Sequence, residues 1–515
     1  MIRFISSFNL ALLLAAPVLA DAADHYATHC AACHAETRLG GTGPALIPEA
    51  LGRQRPDALT ATISGGRPAT QMPAFGDELT ADEIAALVDY IRTPLGYMPD
   101  WTMDDIAASR DMRDDYSPAD APVFDADPMN ITLVVETGDS HVSVLDGDAL
   151  TVLDRFETPF AVHGGPKFSP DGRYVFIMAR DGWVQKYDIW SLAEVGRVRA
   201  GVNSRNIAMS ADGKWLAVAN YLPHTLSILS TDDLTPARVI PIIAKDKTTS
   251  RVSAVYQAPQ RNSFILALKD APEIWEIGTT DDAGPFYDGF VHNYQPGQVE
   301  AVGTEQGLFA RRRIAVEQAL DDFFFTPDYR HLIGTNRDGD KGVVVNLDVG
   351  REIAELPLPG MPHLGSGITW DSGGRRVMAT PHLNEGVLSV IDIDTWELVK
   401  TIETAGPGFF LRSHENTPYV WADVFFGPNR DKMHIIDKES LDIVQTLDPE
   451  PGTTVAHTEF TRDGTYALVS IWEQDGAVIV YDAATLTEVT RLPMSKPSGK
   501  YNVWNKITFS DGTSH

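Results

Sequence analysis

Phe168-Ser169-Pro170-Asp171-Gly172-Arg173-Tyr174-Val175-Phe176-Ile177 reads as the end of one strand, an Asp-Gly turn and the start of an alternating apolar strand. The same phrase returns as Met209-Ser210-Ala211-Asp212-Gly213-Lys214-Trp215-Leu216-Ala217-Val218 and as Phe460-Thr461-Arg462-Asp463-Gly464-Thr465-Tyr466-Ala467-Leu468-Val469. A second strand running into an aspartate follows each copy, at Val184 to Asp188, Thr225 to Asp232 and Val478 to Asp482. Weaker copies stand at Phe325-Thr326-Pro327-Asp328, Trp370-Asp371-Ser372-Gly373-Gly374 and Ser413-His414-Glu415-Asn416. Asp171 and Asp212 are 41 residues apart, the period of a four-stranded propeller blade. A β-sandwich has no reason to repeat its turn chemistry at that interval. At about 45 residues per blade, the chain from Met129 to its end holds close to eight blades.

Upstream of the repeats the composition changes. Pro94 to Pro128 is rich in Asp, Pro and Met without periodicity, which predicts a linker lying over the surface of the next domain. Before it, Cys30-Ala31-Ala32-Cys33-His34 contains the only two cysteines of the 515-residue chain. Two thiols on one short turn can add to the vinyl groups of a haem while the next histidine reaches the iron. A plain Cys-x-x-Cys disulfide would use the same pair, but the surroundings favour haem. Met72 offers a thioether in the Pro-rich loop Gly65 to Phe75, and Thr80 to Ile91 reads as a helix with a Thr80/Glu83 capping box and an apolar stripe of Ile84, Leu87, Val88 and Ile91. Attachment turn, Met loop and closing helix together resemble a class I cytochrome c domain, with His34 and Met72 as the axial pair that raises the iron potential. His25 and His29 compete with Met72 for the sixth position.

The expected architecture is therefore mixed and two-domain: a leader over 1–20, an α-helical class I cytochrome c domain over 21–93, a linker over 94–128 and an all-β eight-bladed propeller over 129–515. Met1 to Ala20, with Arg3, an apolar run from Leu10 to Leu19 and a Val18-Leu19-Ala20 ending, has the form of a secretory signal, and the run is too short for a membrane span. A soluble, periplasmic mature protein is expected. With 42 Lys and Arg against 71 Asp and Glu, the net charge of −29 argues against nucleic acid and against docking to an anionic membrane surface.

A propeller hosts many functions, so particular residues must carry the next step. Phe160-Ala161-Val162-His163, Ala179-Arg180-Asp181-Gly182-Trp183-Val184 through Asp188-Ile189-Trp190, Met361-Pro362-His363, and the ending Lys496-Pro497-Ser498-Gly499-Lys500-Tyr501-Asn502-Val503-Trp504-Asn505-Lys506 together resemble the haem d1 protein family, the cytochrome cd1-like proteins. The resemblance spans essentially the whole mature chain. It implies one covalent haem c and a non-covalent haem d1 or dihydro-haem d1. It makes His163 the proximal ligand of the d1 iron and His363 a distal residue that either ligates iron or acts on what is bound there. Arg180, Arg205 and Arg251 become candidates for holding the tetrapyrrole carboxylates through guanidinium forks, with Tyr221 as a hydrogen-bonding or stacking partner.

Within that family a nitrite reductase needs two distal histidines, and the second position reads Asp321 in Glu317-Gln318-Ala319-Leu320-Asp321-Asp322. A carboxylate there repels nitrite, so the resemblance points instead to the NirN-type members and to dehydrogenation of the propionate of dihydro-haem d1 to the acrylate of haem d1. His457 and Tyr501 match the positions at that side chain, with His457 suited to proton transfer, and the electrons pass to the c-haem. A cytochrome cd1-type nitrite reductase and a non-catalytic d1 carrier are the alternatives. Expected partners are the tetrapyrrole, a periplasmic electron acceptor, and nitrite reductase or other proteins of d1 biosynthesis.

Overall fold

The computed structural model describes residues 15–41, 43–52, 54–67, 72–287, 304–336 and 341–514. Of the expected leader, residues 1–14 lie outside the described residues, as do 68–71 of the Met loop. The N-terminal part is helical, with helices Ala15–His29, Ala31–His34, Pro48–Leu51, Pro56–Gly65 and Ala81–Ile91. Thr80 caps the last of these as its sequence predicts: Glu83 N–H donates to Thr80 Oγ1 at 3.3 Å, and Thr80 N–H donates to the Glu83 carboxylate at 2.7 Å. The apolar stripe Ile84, Leu87, Val88 and Ile91 is buried against Tyr26, Leu59, Ile63 and Phe75. Among the described residues no helix is long and apolar enough to cross a membrane.

Eight four-stranded antiparallel sheets follow as the blades of a propeller. Seven take their strands in sequence order; blade 1 is completed by the chain's last strand, Pro497–Asn502, which pairs with Ile131–Glu136 as Thr132 to Asn502 and Leu133 to Tyr501. Joining the two ends in one sheet closes the ring. The repeated turn explains itself in the same way three times. Gly172, Gly213 and Gly464 have φ of 73, 73 and 74°, a left-handed conformation that glycine adopts without steric cost. Beside each, an aspartate oxygen accepts the N–H two residues on, at 3.0–3.2 Å.

The segment between the two parts carries some structure of its own. Thr102 caps the helix Met103–Ala108, and Asp111–Met112 adds a fifth strand to the outer edge of blade 2. Ile106 is fully buried in the propeller core. The innermost strands line a central channel. One end is covered by the helix Val503–Thr508, whose first residue packs on the Gly172 turn, and by the tail beyond it. Ser413 N–H donates to Gly512 O at 3.0 Å, and Gly512 N–H donates to Thr369 O at 3.2 Å. The loops entering the innermost strands, which carry His163 and His363, stand at the other end.

Candidate functional site

A cavity of about 710 Å³ lies between the helical part and blades 1 and 2. Cys30, Cys33, His34 and Met72 line it from one side, and Phe160, Asp181, Trp183 and Gln185 from the propeller. The His34 Nδ1–H donates to Pro44 O at 2.7 Å, which leaves Nε2 as the nitrogen available to a metal. Burial lowers the imidazole's pKa and keeps it neutral, as a ligand must be. Gly43 makes this arrangement possible, because a Cβ there would stand 2.6 Å from the His34 ring. Of the competing histidines, His25 faces Glu83 at 3.3 Å, while His29 lines the cavity and faces Glu78 at 3.7 Å. Two thiols, an anchored imidazole and a thioether around one apolar cavity fit a covalent haem c.

His163 and His363 occupy the same local frame on blades 2 and 6, which stand opposite each other in a ring of eight. Each follows a left-handed residue, Ala161 with φ 62° and Met361 with φ 58°, and a one-residue β-bridge, Val162 to Ala179 and Pro362 to His382. In both, Nδ1 bonds a carbonyl of the next blade's entry, Arg205 O at 2.7 Å for His163 and Phe409 O at 2.8 Å for His363. In both rings Nδ1 is thus taken by a carbonyl, and Nε2 is the nitrogen suited to an iron tetrapyrrole. Arg180 and Arg205 donate to His163 Nε2 at 2.8 and 2.6 Å. His363 receives a further contact from Ser366 Oγ at 2.7 Å and stacks obliquely on Phe409. Burial lowers the His363 pKa against a smaller upward pull from Asp322.

Arg251 and Tyr221 are brought together on the rim of blades 3 and 4, apart from the two histidines. Arg251 forms a two-pronged ion pair with Asp270 at 2.5–2.9 Å and lies over the Tyr221 ring. Asp321 pairs with Lys269 in the same patch. The carboxylate beside His363 is instead Asp322, which accepts from Tyr256 Oη at 3.1 Å and from Gly365 N–H at 2.6 Å. Asp321 stands just outside the strand Asp322–Phe325 and Asp322 is its first residue, and the two side chains go to different partners.

His457 lies on the innermost strand of blade 8 and Tyr501 on that of blade 1, with ring centroids 5.7 Å apart. The ladder breaks at His457, between the pairs Ala456 to Ser470 and Thr458 to Val469, and its φ is 48°. This bulge re-aims the side chain, as bulges beside functional sites do. Burial, then the charges of Lys500, Arg412 and Lys506, hold the His457 pKa well below its usual value, so the ring is neutral. Lys500 N–H approaches Nδ1 at 3.4 Å, too long to fix the tautomer. Burial pushes the Tyr501 hydroxyl up to about 12 and Lys500 down to about 7. Glu459 and Arg412 form a fully buried pair at 2.6–2.7 Å behind them.

Sequence reasoning overlooked Asp423, whose carboxylate accepts N–H bonds from Phe409, Phe410 and His457. An aspartate at the end of Tyr419–Asp423 reads like any turn aspartate, and nothing local distinguishes it.

The Cytochrome D1 heme domain model matches residues 126–287 and 304–506, and the model for Cytochrome C oxidase, cbb3-type, subunit III matches 17–91. The chain is 49% identical over 491 residues to the dihydro-heme d1 dehydrogenase of Pseudomonas aeruginosa, covering 95% of each protein. It is 24% identical over 545 aligned positions to a nitrite reductase of Stutzerimonas stutzeri, covering 94% of this chain and 92% of that one. The solved structure of dihydro-heme d1 dehydrogenase NirN in complex with DHE superposes with a TM-score of 0.87 at 48% identity, covering 95% of this chain and all of that one.

Proposed function

The chain belongs to the Cytochrome D1 heme domain family, and from that premise we propose that it dehydrogenates the propionate side chain of dihydro-haem d1 to the acrylate of haem d1. The observation that carries this is the neutral His457 beside Tyr501, set on a strand bulge in the same channel that His163 and His363 enter from opposite blades.

In balance, the –CH2–CH2– unit becomes –CH=CH– with loss of two protons and two electrons. When bound, a c-haem would supply a one-electron acceptor, used twice for each substrate with an external one-electron oxidant. His163 holds the substrate iron through Nε2, and His363 approaches it from the opposite side. Arg180 and Arg205, which hydrogen-bond His163 Nε2 here, turn to the substrate carboxylates when iron takes that lone pair. Arg251 and Tyr221 receive a further carboxylate at the rim. His457 takes the two protons from the carbon chain in turn, releasing the first to solvent before accepting the second, for which a neutral imidazole is required, and Tyr501 assists this proton handling at the propionate. His34 and Met72 would ligate the c-haem, which Cys30 and Cys33 would bond covalently.

This assignment includes removal of residues 1–20 on export to the periplasm, division of the mature chain at about 93 and 128, and delivery of product to nitrite reductase or another protein of d1 metabolism. The test is anaerobic mixing of the oxidised, c-haem-loaded protein with half an equivalent of dihydro-haem d1, so that two c-haems are present for the two electrons, following both chromophores. Formation of d1 with a reduced c-haem is expected. Binding without conversion, together with nitrite consumption by the d1-loaded protein, would replace this activity by nitrite reduction; binding with neither activity would leave a carrier.

A further inference from the structure

The geometry points to Asp423 as a positioning residue that sets His457 and His363 relative to each other for the proposed dehydrogenation, on which this inference rests. Its carboxylate is 2% exposed and has each oxygen engaged. Oδ1 accepts N–H from Phe409 at 2.7 Å and from Phe410 at 3.0 Å; Oδ2 accepts the His457 N–H at 3.2 Å. An ionised carboxylate only accepts, and here all three donors are backbone amides on loops that carry the site.

On one side, the bulge removes His457 from the strand ladder. A buried amide in that position needs a partner outside the sheet, and Asp423 provides it while the residue holds its left-handed φ of 48°. On the other side, the Phe409 N–H is held by Asp423 while the Phe409 carbonyl accepts the His363 Nδ1–H at 2.8 Å. One residue thus relays the carboxylate's position to the imidazole and fixes which nitrogen of His363 is protonated. The flanking rings follow: Phe409 lies 4.2 Å from His363 and Phe410 4.7 Å from His457, centroid to centroid. A shift of Asp423 moves both histidines together.

Asp423→Asn is nearly isosteric but turns one acceptor into an NH2 donor, which meets either the His457 N–H or the paired Phe409 and Phe410 N–H groups. The c-haem spectrum, from the other domain, gives the protein concentration, and the circular dichroism of the β-propeller counts folded molecules. Per folded molecule, the expected result is an affinity for dihydro-haem d1 within about threefold of wild type and a kcat lower by on the order of a hundredfold, the effect of an ångström-scale misplacement. The absorption spectrum of the bound tetrapyrrole should also change as His363 loosens. Asp423→Glu keeps the carboxylate and should recover the wild-type spectrum with an intermediate kcat. A purely structural aspartate would lower the unfolding temperature of both variants while leaving kcat and the bound spectrum unchanged, and that outcome overturns the proposal. If wild type binds dihydro-haem d1 without converting it, the dehydrogenase assignment fails, and the spectral comparison still decides the role of Asp423.

Discussion

His163 and His363 stand 200 positions apart in the chain and share a local frame almost bond for bond, yet their surroundings are opposite in sign. Two guanidinium groups meet His163 Nε2, whereas His363 is flanked by Phe409, Phe410 and the carboxylate of Asp322. The repeat thus supplies two equivalent imidazoles, and the loops between blades make them inequivalent. Under the proposed function, a macrocycle between them would meet a cationic side suited to its carboxylates and an aromatic side that continues to His457 through Phe410. The first side suits binding and the second suits chemistry.

The largest effect should come from the chemical side. Replacing His457 with Ala should lower kcat by about a thousandfold, within the usual range for losing a general base, with little change in substrate affinity measured by spectral titration. If turnover survives, proton transfer lies elsewhere and the division between the two sides collapses.

The binding side should show the converse. His163→Ala should weaken dihydro-haem d1 binding by about a hundredfold, while His363→Ala should weaken it less and lower kcat more. Equal losses of affinity from both would make the two histidines equivalent after all. Arg180→Met and Arg205→Met should each cost about tenfold in affinity, the scale of one charge-assisted hydrogen bond. The loss should shrink for a tetrapyrrole whose carboxylates are esterified; an undiminished loss would mean that the guanidinium groups serve His163 rather than the substrate.

The two levels of this organisation were unequally legible in the chain. Asp171-Gly172 and its copies announce the blades, because a left-handed turn limits the residues that can occupy it, and Cys30-Ala31-Ala32-Cys33-His34 announces the haem c cavity by covalent spacing. Completion of blade 1 by Pro497–Asn502 carries no such local sign, since strand pairing across the whole chain is set by closure of the ring. The site was legible only where residues resemble the family's motifs. His163 and His363 fell inside those motifs. Asp423 did not, because its function depends on backbone amides of other blades, which no side-chain pattern encodes. Asp321 and Asp322 are adjacent in sequence, and only the structure separates the lysine-paired one, just outside the strand Asp322–Phe325, from the one beside His363.

The smallest predicted effect concerns the cations near His457. Lys500 is fully buried and its pKa falls to about 7, so below that pH its ammonium charge opposes protonation of His457. A general base works in its neutral form, and activity is lost as pH falls through its pKa. Lys500→Met removes a positive charge while keeping the length of the side chain, so the His457 pKa should rise and the acid limb of kcat should move toward neutral pH. Burial, Arg412 and Lys506 remain as sources of the depression, which keeps the shift small. If activity is instead lost as pH rises through the His457 pKa, and that alkaline limb is the one Lys500→Met moves upward, the protonated imidazole is the active form and His457 donates a proton on the chemical side rather than removing one.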